Sequence, residues 1–565
     1  MMTMRRESLR PRSFLSVVAL VAATPALAQQ EVTERMSVTT SGIEGNGDSF
    51  GVVLSGDGKR AAFVSGASNL VAGDKNGSSD IFLRDRVAAT TVCVSVNTTG
   101  KPSNGASFLA GISADGRYVV FDSAGDDLVA GDTNQKTDVF LRDLQSGSTV
   151  RLSVDSSGNE VDGWSNGATI SPDGTLVAFY SDATTLVAGD NNGVKDVFVR
   201  DCVLGTTERV SVDSAGVEGN DHSFAAGDSG GFSSDGRYVL FESLATNLVA
   251  GDTNGFPDVF VHDRTTGVTE RVSVDSAGNE VNAQCSASSI SRDGRLVAFY
   301  SLASNLVAND TNGTYDAFVH DRATGITQRV SVDSAGAEAN GISGPPLMTA
   351  DGRHVCFGSA ATNLVSGDVN NMADIFVHDL VTGTTVLWIV DWFQGQGEGG
   401  VAAERMSDDG SVVAFSSSLT DLVDNDTNFR IDVFVAEHFD AAWTNYGAGF
   451  AGTNGIPSFT SSAAPVLGTS IQLDLANSLA NPTVGLLFVG LQRTTLPTNF
   501  GGDLLVVPAW TLPISFSYGF DSFGFAVPND PALAMVAIDL QAVEADPGAA
   551  VGVSFTAGLE LILGF

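Results

Sequence analysis

The dipeptide Asp-Gly recurs seven times along this chain, at Asp57, Asp115, Asp173, Asp235, Asp293, Asp351 and Asp409, with spacings of 58, 58, 62, 58, 58 and 58 residues. Each copy carries the same surroundings. In one it reads Ser171-Pro172-Asp173-Gly174-Thr175-Leu176-Val177-Ala178-Phe179, followed by an Asp-x-Asn loop, an Asp-Val-Phe-Val run and Arg-Val-Ser-Val-Asp. A period of this length means that one unit cannot bury its own faces and must stack on copies of itself.

Each period reads as four short strands, a to d. In the fourth repeat strand a is expected to end near Phe232, with b at 238–242, c at 258–262 and d at 270–274. The runs are rich in Val and Phe and are bounded by Gly, Asp, Asn and Ser, which is strand and hairpin chemistry. Strand c is apolar on both faces, as a strand between stacked sheets must be. Four antiparallel strands in seven units predict an all-β chain folded as a seven-bladed β-propeller.

The ends of the repeat region bear on closure. The seventh copy stops at Asp432-Val433-Phe434-Val435 and lacks its Arg-Val-Ser-Val text, while Arg35-Met36-Ser37-Val38 stands near the N-terminus. The N-terminal strand is therefore expected to complete the last blade, three strands plus one, and to leave no open edge there.

Residues 1–28 are set aside from the fold. Arg5, Arg6, Arg10 and Arg12 precede an apolar run, and Ala26-Leu27-Ala28 is a small-residue cleavage site, the pattern of a bacterial signal peptide. Export to the periplasm, cell surface or medium follows, with no membrane-spanning segment and a monomer as expectations. The net charge of −37, from 29 basic and 66 acidic residues, makes nucleic acid a poor partner. The four cysteines form no C-x-x-C pair, and Cys356 falls at a core position of strand b. The propeller is expected over 29–440. From 441 to 565 the text changes to Leu, Val, Phe, Gly, Pro and Ser with one basic residue, Arg493, which predicts a C-terminal β-sandwich or jelly-roll-like domain.

The run Ser-x-Asp-Gly-x-x-Val-x-Phe, at 113–121, 171–179, 233–241 and 291–299, resembles the repeat of TolB-like propellers, the WD-like family also seen in prolyl oligopeptidases. The resemblance implies the propeller fold. For function it implies a partner-binding platform, an enzyme gate or, in some members, a lyase. The tail, with Pro528-Asn529-Asp530-Pro531, Gln541-Ala542 and Asp546-Pro547-Gly548, resembles a β-rich module on secreted proteins of planctomycete-like bacteria.

The b–c loop carries Asp-x-Asn-x-x-x-Asp in every repeat: Asp74/Asn76/Asp80, Asp132/Asn134/Asp138, Asp190/Asn192/Asp196, Asp252/Asn254/Asp258, Asp310/Asn312/Asp316, Asp368/Asn370/Asp374 and Asp426/Asn428/Asp432. Oxygen donors at this spacing in a tight turn suit Ca²⁺, which takes six to eight oxygens from a curled loop. The other reading is turn capping, with the same oxygens accepting backbone N–H bonds. Glu44, Glu160, Glu218, Glu280 and Glu338 recur in the d–a loop at the same blade end, while Lys59, Arg117, Arg237, Arg295 and Arg353 occupy the a–b turns at the other. One acidic face is thus expected, either as a docking surface for a cationic partner or as a merely solvated face.

Three further features bear on function. His262, His320 and His378 share one strand-c position, where other repeats have Arg84, Arg142 and Arg200, and are expected at the surface, too far apart to share an ion. Gly163-Trp164-Ser165-Asn166-Gly167 spells a nucleophile motif but lies in a d–a loop without the required elbow. In the sixth repeat Leu387-Trp388-Ile389-Val390-Asp391-Trp392-Phe393 replaces the usual strand d, so a covering tail domain, a glycan platform or packing peculiar to this blade is expected there.

The chain thus reads as an exported, non-enzymatic binding or scaffold propeller. It is open to calcium stabilisation and presents its loop face to a protein or polysaccharide. No catalytic residue and no bound cofactor is assigned. The competing classes are a propeller-type polysaccharide lyase or hydrolase, which needs unrepeated polar residues at the channel mouth, and a purely structural surface protein.

Overall fold

In the computed structural model, residues 33–437 are described except 227–229, 367, 369–371, 390–401, 421 and 424–425; beyond them the strands between 442 and 562 are described with short flanks. The signal segment 1–28 and the junction at 440 lie outside the described residues. Val32–Glu437 forms one compact unit, and His438–Phe565 belongs to a second.

The first unit is a seven-bladed propeller. Blade 1 has strands Ser49–Leu54, Arg60–Ser65, Asp80–Asp85 and Thr90–Cys93; blade 2 has Ser107–Ile112, Tyr118–Ser123, Asp138–Asp143 and Ser148–Arg151. Blade 3 runs Ser165–Ile170, Leu176–Ser181, Asp196–Asp201 and Thr206–Arg209, and blade 4 Ser223–Ala225, Tyr238–Ser243, Asp258–Asp263 and Val268–Arg271. Blade 5 has Cys285–Ile290, Leu296–Ser301, Asp316–Asp321 and Ile326–Arg329; blade 6 has Leu347–Met348, His354–Ser359, Asp374–Asp379 and Thr384–Ile389. Each is an antiparallel sheet in the order a-b-c-d. The Asp-Gly turns join a to b: Ser171 donates to Asp173, and Gly174 sits at φ +76°, a conformation that favours glycine.

The Val and Phe text builds the cores. Strands b and c each give one Phe, and the two stack in every blade, from Phe63–Phe82 at 6.1 Å to Phe415–Phe434 at 5.6 Å. Each pair packs on the neighbouring blade. Phe241 and Phe260 of blade 4, for example, meet Leu176, Ala178, Val197 and Val199 of blade 3. One apolar cluster therefore fills each junction between blades, which is why a single repeat cannot fold alone.

Blade 7 closes as the sequence implied. Its strands Ala402–Met406, Val412–Ser417 and Asp432–Glu437 are completed by Thr33–Arg35, with Arg35 opposite Phe434. Met36 N–H donates to Val433 O at 2.7 Å, and Ser37 Oγ accepts from Val433 N–H at 3.2 Å.

Strand d departs from the expectation. In blade 4 it spans Val268–Arg271 and does not run on to residue 274. Ser273 takes over the ladder with its side chain, accepting from Val259 N–H at 3.0 Å and donating to Asp258 at 2.6 Å. In blade 6, where Ile389 replaces that serine, the ladder continues and Ile389 pairs with Ile375. Strand a of blade 4 is also short, and Phe232 joins Val239 by an isolated bridge. The longer 62-residue spacing falls here: Ser223 to Ser233 is ten residues where Ser165 to Ser171 is six.

A belt of backbone bonds runs round the channel at the a–b turns. Gly56 N–H donates to Ala114 O, Ala114 to Pro172, Ser234 to Arg292, Arg292 to Ala350, Ala350 to Asp408 and Asp408 back to Gly56, at 2.8–3.2 Å. The belt lacks one link, because Pro172 has no N–H to give to blade 4.

The described elements of the second unit are all strands. One sheet has the order Ala442–Tyr446, Gly558–Ile562, Ala537–Ala545, Thr483–Gly490 and Trp510–Phe516, with Val553–Phe555 also on Ala537–Ala545. Phe459–Ser461, Ser470–Ala476 and Phe520–Ala526 form a second sheet, and Arg493–Pro497 pairs with Asp503–Val506. Buried Gln541 accepts from Leu505 N–H at 2.8 Å and donates to Thr556 O at 3.0 Å, fastening that hairpin to its neighbour.

Deleting 33–38 strips blade 7 of its outer strand and of the Ser37 bond to Val433. A clear fall in melting temperature is expected, with self-association through the exposed 432–437 edge. Calorimetry and light scattering check it; an unchanged melting temperature in a monomer contradicts the closure.

Candidate functional site

The acidic b–c loops converge with the d–a glutamates, as their spacing suggested. In three blades the carboxylates Asp132/Asp138/Glu160, Asp190/Asp196/Glu218 and Asp310/Asp316/Glu338 bring oxygens within 4.8 Å of one another, close enough to hold a metal ion. Among them lies a guanidinium. Arg151 Nη1 is 3.3 Å from Asp132, 3.3 Å from Asp138 and 2.7 Å from Glu160. Arg209, Arg271, Arg329 and, across the closure, Arg35 repeat this in blades 3, 4, 5 and 7. The arginine is the first residue of the Arg-Val-Ser-Val text, placed by the end of strand d.

The asparagine of each described loop also carries the turn bonds that the sequence allowed. Asn134 Nδ2 donates to Asp138 and to Val161 O, both at 3.2 Å, and its Oδ1 accepts from Lys136 N–H at 2.8 Å. Asn76, Asn192, Asn254, Asn312 and Asn428 repeat this arrangement. Their amides donate to Asp80, Asp196, Asp258, Asp316 and Asp432, each four residues on, at 2.6–3.3 Å. Each also donates to a carbonyl of the d–a loop: Ser103, Gly219, Val281, Ala339 and Gly45 in turn. Their Oδ1 atoms accept the backbone N–H two residues later, at 2.8–3.1 Å. The side of each amide that meets the carboxylates is its NH₂ group, which offers a cation no lone pair, while its oxygen is spent on its own turn.

The carboxylates differ among themselves. Ser153 donates to Asp138. Burial and the Asp138 charge push Asp132 up to about 6 against the pull of Arg151. Burial also acts to raise Glu160, but bonds from the Thr133 hydroxyl and N–H, with Arg151, outweigh it and bring that carboxyl to about 2. The two carboxylates of one cluster thus move in opposite directions because Glu160 is well solvated and richly bonded while Asp132 is enclosed.

Blades 1 and 6 differ. Cys93 stands opposite Phe82, the arginine position, and Pro102 takes the place of the glutamate in the bridge to Val96. Arginine and glutamate are lost together there, and burial raises Asp80 to about 6. Leu387 holds the arginine position of blade 6, where Asn370 lies outside the described residues. At the opposite end the a–b arginines are also engaged: Arg117 with Asp143, Arg237 with Asp263, Arg295 with Asp321 and Arg353 with Asp379. Both charged faces are largely internal ion-pair networks.

The three histidines are buried, contrary to the surface placement expected. His262, His320 and His378 sit 2.8–2.9 Å from Thr269, Thr327 and Thr385. Each threonine gives its hydroxyl proton to a carbonyl of the preceding blade, as Thr269 does to Val212 O, so the histidine Nδ1–H is the donor. Burial lowers all three pKa values. Arg84, Arg142 and Arg200 serve the same threonine position in blades 1 to 3. Ser165 is buried against Ser181 at 3.0 Å. Trp388 fills the core between blades 6 and 7 with Leu347, Cys356 and Phe415, which removes it as a docking platform. Trp392 lies outside the described residues.

Sequence reading missed a set of buried and half-buried acids on strands a and b. Asp122 accepts from Gly167 N–H at 2.7 Å in blade 3, at a strand-a bulge. Burial pushes it up to about 8. Glu404 accepts from Val52 N–H at 2.7 Å at the bulge of blade 1, and burial raises Glu404 and Glu242 as well. It also missed Arg405. At the repeat period the channel wall reads Val53, Gly111, Thr169, Gly231, Ser289, Leu347 and then Arg405. Aligning the copies on Asp-Gly would have exposed this single charge.

Two places in the propeller depart from the repeat. One is the channel rim at the loop end, where strand a begins. Phe50, Phe108 and Trp164 are 42%, 44% and 53% exposed. Lys136 Nζ lies 5.0 Å from the Trp164 ring; Lys195 Nζ lies 5.0 Å from Tyr180 and 5.3 Å from Phe224. Four of the five lysines of the chain, Lys75, Lys101, Lys136 and Lys195, belong to loops at this end in blades 1 to 3. The other is a cavity of about 130 Å³ inside the belt of a–b turns, lined by Thr169, Ser289, Arg292, Arg405 and Asp408 among others.

A ring of seven four-stranded sheets, closed by its own N-terminal strand, defines a seven-bladed β-propeller. No protein-family model and no curated protein matches the chain. Among solved structures it is similar to a protein described as a TolB from Agrobacterium tumefaciens, 16% identical, with 62% of this chain and 94% of that chain covered and a TM-score of 0.33. It is also similar to an ulvan lyase, a polysaccharide lyase, at 8% identity, 72% and 96% coverage and TM-score 0.35. The GH74 enzyme of Niastella koreensis is 11% identical, with 94% and 99% covered and TM-score 0.24. Among the described residues no helix is long and apolar enough to cross a membrane.

Asp122 yields a pH prediction. Its folded pKa of about 8 lies above its ordinary 3.8. Between those values the folded chain keeps a proton that the unfolded chain has lost, so this group lowers stability as pH rises through the window. Asp122→Asn keeps an acceptor for Gly167 and removes the titration. Its stability relative to the parent is expected to increase from pH 5 to pH 8, measured by chemical denaturation; a constant difference contradicts the assignment.

Proposed function

We propose that the chain is an exported, non-enzymatic binding propeller that holds a polysaccharide across the loop end of its channel. The observation that carries this reading is the aromatic rim. Three large rings in successive blades are left about half exposed in a fold whose other phenylalanines on strands b and c are wholly buried. Exposed aromatic surface of this kind marks a binding face. Flat rings take the C–H faces of a sugar, and Lys136 and Lys195 beside them supply hydrogen-bond donors and a positive charge for an acidic one. The all-β unit beyond the propeller is a separate module in this reading.

A polysaccharide lyase is the second reading. It draws on the meeting of Lys195, Tyr180 and His222 at the rim, where Lys195 N–H donates to His222 Nδ1 at 3.0 Å. Elimination from a uronate needs a base and a cation on the carboxylate, and this cluster has both residue types. A glycan array with the mature chain, followed by chromatography of the bound chain length, separates the two. Binding without shortening is expected, and Phe108→Ala with Trp164→Ala should weaken it about tenfold, roughly 1.4 kcal/mol. Cleavage to an unsaturated product abolished by His222→Ala would establish the lyase, and unchanged affinity in the double variant contradicts the rim.

Calcium enters as a rival of the arginine. An ion at Asp252, Asp258 and Glu280 has to displace Arg271, which already supplies the positive charge there. Arg271→Leu, the residue blade 6 carries, leaves these carboxylates facing one another and should cost about 3–5 kcal/mol. Millimolar calcium is expected to restore part of that loss, while the parent melts alike in calcium and chelator. Strong calcium stabilisation of the parent would show that the ion holds these loops beside or in place of the guanidinium.

A further inference from the structure

The belt round the channel carries two charges that its backbone bonds do not use. At the repeat period the belt positions hold Gly56, Ala114, Pro172, Ser234, Arg292, Ala350 and Asp408. Main-chain N–H and carbonyl groups make the links between them, so the side chain at each position is left over. Five of the seven are small or a proline. The two long ones are opposite in sign and form an ion pair with each other. Arg292 donates to Asp408 across 116 residues, so the bond runs from blade 5 to blade 7 and skips blade 6.

The pair stands at one end of the cavity. Both residues line it at the level of the a–b turns, beyond Gly111, Thr169 and Leu347 of the innermost strands. The Asp408 carboxylate also lies against blade 1, where a Cβ on Gly56 would collide with it. The glycine leaves that carboxylate its room.

Stability does not account for this bond. Arg292 and Asp408 are 29% and 43% exposed, and ion pairs as accessible as this add little to stability and are screened by salt. The belt already ties these blades, through Arg292 N–H to Ala350 O and Ala350 N–H to Asp408 O. A weak bond across an opening suits a closure that has to be undone.

We propose that the Arg292–Asp408 pair is a bar across the turn end of the channel, closed in this structure, which controls passage of small solutes between solvent and the cavity of about 130 Å³ behind it. The proposal does not rest on the polysaccharide reading, whose rim lies at the opposite end of the strands that line the channel.

The experiment places a thiol behind the bar in the full chain. Thr169→Cys is introduced with Cys202→Ser, which removes the exposed native thiol, and labelling by a small neutral thiol reagent is timed. The chain with Cys202→Ser alone is the blank. Labelling at position 169 is expected to quicken at least tenfold when Arg292→Ala or Asp408→Ala is added. Raising salt from about 0.1 M to about 1 M, which shortens the Debye length from roughly 10 Å to roughly 3 Å, should quicken it with the pair intact and not in either alanine variant. Cys356, buried between blades 6 and 7, reports loosening of the ring itself. Position 169 gaining access while Cys356 stays unlabelled supports the bar; the two gaining access together overturns it. Equal labelling rates at position 169 with the pair intact or cut overturn it as well.

Discussion

Every apolar face in this propeller is buried by a different repeat, and that dependence governs the rest. A blade presents stacked phenylalanines to one neighbour and valines to the other, so each junction is a core and no blade owns one. The array is satisfied only when the last face meets the first. Closure by Thr33–Arg35 therefore completes the apolar junction between blades 7 and 1, where Met36 joins Val52, Phe63 and Val433 in one cluster.

The same closure carries polar cargo. The N-terminal segment delivers Arg35 to Asp426, Asp432 and Glu44, as strand d delivers Arg151 or Arg209 within their own blades. In blades 2 to 5 and 7, loops that resemble ion-binding turns in residue type hold a tethered cation. A covalently attached guanidinium is always present at its site, and its planar fork meets several carboxylates at once. Where the arginine is present, the acidic loops are thereby tied into the scaffold by ion pairs.

Much of the fold is legible because it repeats. Asp-Gly turns, the Asp-Val-Phe-Val strand and the missing last strand are all visible as text, and backbone geometry follows them closely. The departures fall where a side chain replaces a backbone role. Ser273 ends strand d by bonding Val259, which no periodicity reveals. His262 is polar by type, yet it is buried because Thr269 is there to accept its proton. Asn254 has the residue type of an oxygen ligand, but which end of its amide faces Asp258 depends on the Phe256 N–H that claims the oxygen. Arg271 looks in sequence like one more strand residue, so the counter-ion of the loops goes unseen. Trp388 has the look of an exposed platform, because sequence does not reveal that the junction with blade 7 has room for an indole. Asp122, Glu404 and Arg405 escape notice because each occurs off the repeat, and only alignment of the copies singles them out.

Pro172 gives the inner belt a direction of failure. Six of seven blade-to-blade positions are tied by an N–H bond, and the untied one falls between blades 3 and 4. The four-residue insertion in strand a of blade 4 falls at the same junction, where the strand is interrupted. At the other end of the channel, Tyr180 of blade 3 and Phe224 of blade 4 meet edge to face at 5.3 Å beneath Lys195. A closed ring under outward load yields first at its weakest tie. Here that tie is the seam between blades 3 and 4, which is bridged at its other end by two aromatic rings and a lysine, so anything that grips those three side chains spans the one junction the belt leaves untied.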